Sequence, residues 1–128
     1  MNKNIIATDD APKAIGAYSQ AVKISATEFV FISGQLGLNP NTMKLVSGGV
    51  KVEAEQALKN MGAILKAAGG NFSSVIKATI YLADIKDFPI VNEVYAGFFK
   101  SDPPARAAFA VGALPLGGLV EIEAVAAL

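Results

Sequence analysis

One amphipathic helical segment interrupts a series of strand-like segments, and this alternation limits the chain to a mixed α and β fold. From about residue 50 to 68, apolar residues recur three or four positions apart: Ala54, Leu58, Met61, Leu65 and Ala68. Gly69-Gly70 follows and predicts the end of this helix. Residues 75–82 then carry the β-branched pattern of a strand.

Further strands and a second helix are predicted on both sides of this region. Residues 22–24 and 29–32 indicate two strands that pair as a hairpin, and residues 39–49 indicate a loop. Asp84 resembles the acidic cap of a second helix with Pro89 in its first turn. The segments 105–111 and 119–127 indicate two final strands. The pattern predicts an α+β fold, with a single mixed sheet carrying two helices on one face. With 128 residues, we expect one domain spanning 1–128.

The composition is unusually apolar for so short a chain. Hydrophobic residues make up 52% and charged residues 17%, so we expect part of the apolar surface to face a partner subunit. The uncovered sheet face is the candidate. Eleven basic residues balance eleven acidic ones, which argues against a protein that binds nucleic acid by neutralising phosphates.

Two absent residue types restrict the available chemistry. The chain has no cysteine and no histidine, which excludes thiolate nucleophiles and the commonest general base.

The beginning of the chain does not resemble a signal peptide. The longest uncharged stretch near the end, residues 107–120, has 14 residues and is too short to span a bilayer. We therefore expect a cytoplasmic protein without a membrane segment.

Three charged residues stand out in the apolar segment 103–128: Arg106, Glu121 and Glu123. The two glutamates are two positions apart and share one face of a strand, roughly 6.5 to 7 Å apart. Arg106 is the only arginine beside ten lysines. It either forms a salt bridge with one glutamate on an adjacent strand, or it binds an anionic ligand through its planar fork of donors.

Other candidates also have two interpretations each. Tyr18 follows Gly16 and is either an interface tyrosine or a ligand contact. Ser33-Gly34 either makes a turn or allows a ligand to approach the backbone closely. Asn92 lies at the edge of an apolar helix stripe, where an asparagine usually bonds to a loop. The pair Gly48-Gly49 precedes a helix but lacks a phosphate-loop motif.

A series of motifs in fixed order carries a family resemblance. The chain resembles the RidA/YjgF family of reactive-intermediate imine deaminases in Gly16-Ala-Tyr-Ser-Gln-Ala21, Ile32-Ser-Gly-Gln35, Leu82-Ala-Asp-Ile-Lys-Asp-Phe88, Val91-Asn92, Pro104-Ala-Arg106-Ala and Val120-Glu-Ile-Glu123. The resemblance implies a chorismate-mutase-like α+β fold. It also implies a homotrimer whose sheets form a central barrel, with ligand clefts between subunits.

The resemblance also implies roles for individual residues. Arg106 would bind the substrate carboxylate, and Glu121 would position or activate water. Tyr18 would come from the neighbouring subunit. Further cleft residues would be Ser33, Gly34, Phe88, Asn92 and the backbone N–H of Ala108. Many members have Ser-Cys after the arginine, whereas this chain has Ala107-Ala108, which removes any thiol role.

The implied reaction is hydrolysis of 2-iminopropanoate or 2-iminobutanoate to a 2-oxo acid and ammonia. It needs no metal or bound cofactor, because orienting a water and shuttling a proton through a partly buried glutamate suffice. Two alternatives stay open. One is a ribonuclease or translation inhibitor, against which the charge balance argues. The other is a binding module for small carboxylates, which also needs Arg106 and which only turnover separates from an enzyme.

Overall fold

The computed structural model describes residues 1–128 and confirms the α+β class. The elements are β1 (Asn2–Ile6), β2 (Ala21–Ser25), β3 (Phe29–Leu36), α1 (Val50–Ala67), β4 (Val75–Leu82), α2 (Phe88–Phe98), β5 (Ala105–Ala110) and β6 (Val120–Ala127). Single 3-10 turns lie at Phe72–Ser74, Ile85–Asp87 and Pro115–Gly117. The predicted acid cap is present at the second of these turns, where the side chain of Asp84 accepts a hydrogen bond from the backbone N–H of Lys86 at 2.9 Å.

Four strands form a mixed sheet in the order β3-β6-β4-β5. The pairs β3/β6 and β6/β4 are antiparallel, and β4/β5 is parallel. The strands β3 and β5 are therefore the two edges of this sheet. Strands β1 and β2 pair with each other in a separate antiparallel hairpin.

The predicted pairing of the strand at 22–24 with the strand at 29–32 is wrong. After β2 the chain turns toward the C-terminus, where Leu128 exchanges backbone hydrogen bonds with Thr27 and Glu28. This contact aligns β3 with β6 and directs it away from β2. The prediction that all strands share one sheet is wrong for the same hairpin, whereas the two helices on one sheet face are confirmed.

The hydrophobic core lies between the helices and one face of the sheet. Four residues of the predicted apolar stripe, Ala54, Leu58, Met61 and Leu65, are buried, whereas Ala68 caps the end of α1 and is only half-buried. Val91 and Tyr95 of α2 are fully buried beside the stripe. Alternate residues of β6, beginning with Val120, also face this core. Glu121 and Glu123 consequently lie on the other face, as the strand period predicts.

The face of the sheet opposite the helices is uncovered and partly aromatic. Phe31 is 79% exposed, Phe29 50% and Phe109 46%. Rings exposed to this extent on one sheet face are typical of a surface that contacts another protein. None of the helices has both the length and the apolar character needed to cross a bilayer.

Candidate active site

Arg106 reaches the helix side of the sheet from the edge strand β5. It pairs in register with Ala78 of β4, whose side chain is buried under the helices. One terminal nitrogen, Nη1, donates hydrogen bonds to Oδ1 of Asn92 at 2.7 Å and to the carbonyl of Ala17 at 3.3 Å. Asn92 thus bonds to the predicted site residue rather than to a loop.

Three aromatic rings surround the guanidinium group. Its central carbon lies 4.9 Å from the ring centre of Tyr95, 5.3 Å from Phe88 and 5.4 Å from Tyr18. Burial among these rings lowers the pKa of Arg106, and the neighbouring Tyr95 and Tyr18 oppose this shift. An arginine nevertheless keeps its charge at neutral pH.

The second terminal nitrogen of Arg106 and its Nε have no hydrogen-bond partner in the chain, since both bonds go to Nη1. Together these two nitrogens present parallel N–H groups, the arrangement that grips a carboxylate with two bonds. Arg106 also lines a cavity of about 300 Å³, together with Ile15, Gly16, Tyr18, Phe88, Asn92 and Ala108. The cavity suits a small carboxylic acid with a short side chain.

Tyr18 reaches this cavity from its own chain. The resemblance implied the tyrosine of a neighbouring subunit, so the structure differs here. The reason is local: the backbone N–H of Ser19 donates to the carbonyl of Pro104 at 3.1 Å, and its hydroxyl donates to Pro103. These bonds fasten the segment after Gly16 beside β5.

Glu121 lies with Gly34 at the other side of the sheet. A β-carbon added to Gly34 would lie 2.8 Å from the carboxyl carbon of Glu121, so a larger residue here would displace the carboxylate. Ser33 and Gly34 occupy a bulge between Ile32 and Gln35, where the register between β3 and β6 shifts. The glycine therefore leaves room for the glutamate of its own chain. The sequence allowed either a turn or a close approach of a ligand at Ser33-Gly34, and the place of these residues in a ligand cleft stays a prediction.

Glu123 accepts a hydrogen bond from another side chain of the sheet. The hydroxyl of Tyr81 donates to its carboxylate at 2.5 Å, and this bond raises the pKa of Tyr81. Glu121 has no such donor among the side-chain hydrogen bonds of the chain. The two glutamates therefore lie on the same face of the sheet, but only the carboxylate of Glu121 is free of a side-chain hydrogen bond.

The predicted site residues form two separate groups. We call Tyr18, Phe88, Asn92, Arg106 and Ala108 the arginine half-site, and Ser33, Gly34 and Glu121 the glutamate half-site. Strand β4 lies between β5 and β6, so the strands that carry Arg106 and Glu121 are roughly 9–10 Å apart across the sheet, and the two side chains lie on its opposite faces. The alternative of a salt bridge between Arg106 and a glutamate is wrong, because the only ion pair joins Lys13 and Asp9 at 3.7 Å.

Sequence reasoning missed Tyr95 as a neighbour of Arg106 and treated it only as part of an apolar helix face. Its spacing contained the signal. Phe88, Asn92 and Tyr95 are four and three positions apart, which places them on one side of α2. The asparagine and the tyrosine therefore had to face the same neighbour.

Comparison with known proteins identifies the family. The family model described as Endoribonuclease L-PSP matches residues 8–128. The chain belongs to this family, which is the RidA/YjgF family. The predicted resemblance is thereby confirmed over nearly the whole chain.

Individual relatives agree with this assignment. A human protein named 2-iminobutanoate/2-iminopropanoate deaminase is 59% identical over 124 residues, which cover 97% of this chain and 89% of that protein. The crystal structure of RidA from Psychrobacter sp. is 48% identical, covers 98% of this chain and 99% of its own, and has a TM-score of 0.76. The Rid-family protein YyfB from Yersinia pestis is 28% identical, covers 100% of both chains and has a TM-score of 0.91.

Proposed function

We propose that this protein is a hydrolase that converts short 2-imino acids to 2-oxo acids and ammonia. The observation that carries the proposal is the half-buried guanidinium of Arg106, which has free parallel donors in a small aromatic cavity. The name of the human relative, at 59% identity, supports the same substrate class. The preferred substrates are 2-iminopropanoate and 2-iminobutanoate, whose side chains fit a cavity of about 300 Å³.

Arg106 binds the substrate carboxylate with two parallel hydrogen bonds. The contact of Asn92 with Nη1 fixes the plane of the guanidinium, so the carboxylate binds in one orientation. The rings of Tyr18 and Phe88 exclude water from one side of the substrate. Positioning of this kind suffices for a large rate gain, because imines already hydrolyse slowly in water.

Glu121 activates the attacking water. It accepts a proton as the water oxygen bonds to the imine carbon, and it returns a proton to the nitrogen. The hydroxyl of the resulting carbinolamine then loses its proton to Glu121, which passes it to the nitrogen as the C–N bond breaks, so that ammonia and the 2-oxo acid leave. One water is consumed, and no electrons are transferred to or from the substrate. The reaction needs no bound cofactor, and the enzymes that release the imine act earlier.

A complete site needs two chains. The glutamate half-site lies on the open sheet face beside edge strand β3, and the arginine half-site lies at edge strand β5. Packing edge strand β5 of one chain against the open sheet face of its neighbour brings the two half-sites together. The exposed Phe31 and Phe109 would be covered in the same assembly. We propose a homotrimer with three such sites, built from one domain of residues 1–128. The cytoplasmic location stays a prediction.

A coupled assay tests the function. A dehydratase generates the imine, and release of the 2-oxo acid is timed with and without the protein. Arg106→Lys keeps the charge and loses the planar fork, so kcat/KM should fall by about ten- to a hundredfold. Arg106→Ala should lose more. Lys86→Ala removes a charge from an exposed turn and should leave the rate unchanged.

The opposite results have clear meanings. Wild-type turnover in Arg106→Lys, or no acceleration by the unmodified protein, contradicts the proposal. Binding of 2-oxobutanoate without acceleration would instead indicate a module that only binds carboxylates.

A second candidate is a ribonuclease, which the description of the family favours. Salt-dependent cleavage of RNA by a nuclease-free preparation would support it, and the zero net charge opposes it.

A further inference from the structure

Tyr95 lies against Arg106, and the proposed mechanism gives it no task. Its side chain is fully buried in α2. Its ring centre is 4.9 Å from the guanidinium carbon, the shortest of the three aromatic distances. The ring also stacks on Phe99, with centres 4.4 Å apart and planes 29° apart.

The hydroxyl group of Tyr95 does not explain why the residue is there. It is buried and has no hydrogen-bond partner, which is a cost to the folded state. Burial also raises the pKa of Tyr95, so the ring is uncharged at neutral pH. The ring face is therefore the feature that Tyr95 contributes, because a cation over an aromatic face is attracted to its electrons.

We propose that Tyr95 is a positioning residue that fixes the guanidinium of Arg106 by a cation–π contact. Asn92, on the same side of α2, restrains Nη1 from the edge. Phe99 keeps the tyrosine ring from turning away. These contacts leave Nη2 and Nε without a hydrogen-bond partner in the chain, on a residue that lines the cavity. The contact between Tyr95 and Arg106 is seen in the structure, whereas the effect of this contact on catalysis rests on the proposed function.

Nuclear magnetic resonance tests the contact without any substrate. Arg106 is the only arginine, so its Nε–H group gives the single arginine side-chain signal in a proton–nitrogen spectrum. Ring currents from a stacked aromatic ring shift such a proton upfield of its position in the unfolded chain. We expect this upfield shift in the wild-type protein, and its absence there would overturn the proposal.

Three variants separate the ring from the hydroxyl and from general packing. Tyr95→Phe keeps the ring and should keep the shift. Tyr95→Leu removes the ring, so the signal should move toward its unfolded position. Phe72→Leu is the matched control, since it removes a half-buried ring of the same cluster that pairs with Phe98 and Phe99 rather than with Tyr95 or Arg106. It should leave the signal in place. A signal that stays unchanged in Tyr95→Leu would overturn the proposal.

Kinetics then tests the consequence. A poorly fixed guanidinium weakens carboxylate binding and does not alter the water step at Glu121. KM of Tyr95→Leu should therefore rise by about five- to tenfold with little change in kcat. Tyr95→Phe and Phe72→Leu should keep the wild-type KM, even where thermal melting shows lower stability. An equal KM in all variants overturns the positioning role. Failure of the wild-type protein to accelerate hydrolysis overturns the proposed function, and the resonance result still decides the contact.

Discussion

At the scale of single residues, Glu121 and Glu123 differ in what surrounds them. Glu121 lies over Gly34 without a side-chain donor, whereas Glu123 accepts a hydrogen bond from Tyr81. Glu121→Gln keeps the shape and removes the proton acceptor, so kcat should fall at least about tenfold. Glu123→Gln should change kcat much less. Steady-state kinetics of both variants checks this order, and the reverse order would assign the proton transfer to Glu123.

The hydroxyl of Tyr81 predicts a dependence of stability on alkaline pH. Its bond to Glu123 raises the pKa of Tyr81 above the usual 10.0, so the folded state keeps this proton more tightly than the unfolded state. The stabilisation is complete below pH 10 and is lost as the pH rises through the higher folded-state pKa. The unfolding free energy should therefore fall above pH 10. The fall should be smaller in Tyr81→Phe, measured by urea unfolding at several pH values, and equal slopes would contradict this.

Most residues of the candidate site could be chosen from the sequence, and their arrangement could not. The lone Arg106 and the paired glutamates stand out because charge is scarce in their segment. Which strands separate them depends on the order β6-β4-β5, which is set by contacts distant in sequence. The contact of Tyr95 with Arg106 could not be predicted, because a tyrosine in an apolar helix stripe is equally compatible with core packing and with a contact to a cation.

At the scale of elements, a buried carboxylate links α1 to the residue that immediately precedes β6. Glu53 in the first turn of α1 is 5% exposed, and its Oε1 accepts a hydrogen bond from the backbone N–H of Leu119 at 2.9 Å. Glu53→Ala leaves that N–H unpaired and should cost about 1–3 kcal/mol of unfolding free energy. Glu53→Gln retains an acceptor oxygen and should cost less. Urea unfolding measures both, and equal losses would mean that the charge matters rather than the acceptor.

The elements themselves were largely predictable. The helical period gave α1 to within one residue of its end, and β4 has the predicted limits Val75–Leu82. These patterns are local, because whether each residue is apolar or polar indicates whether its own position is buried. Pairing is a property of two segments, and β3 pairs with β6 rather than with β2 because Leu128, at the far end of the chain, bonds with Thr27 and Glu28.

At the scale of the whole molecule, the apolar composition and the split site point to the same assembly. The open sheet face carries Phe29, Phe31 and Phe109, and each half-site adjoins one sheet edge. Sedimentation equilibrium should therefore give three times the 13.2 kDa chain mass. A stable monomer would leave Arg106 and Glu121 on opposite faces, with no route to a common substrate.

Mixing two inactive variants tests whether neighbouring chains share a site. Arg106→Ala lacks the arginine half-site and Glu121→Gln lacks the glutamate half-site. In trimers refolded together from equal amounts, each half-site is intact in half of the chains, so about a quarter of the sites contain both intact halves. Activity should thus recover to about a quarter of wild type in the coupled assay.

The control for this mixture pairs Arg106→Ala with the double variant that carries both substitutions. No chain then has an intact arginine half-site, so no activity should return, whatever the efficiency of refolding. If each site were built within a single chain, the first mixture would stay inactive, because neither variant contains a complete site and mixing creates none. Recovery in the first mixture alone therefore requires that Arg106 of one chain and Glu121 of another act on the same substrate molecule.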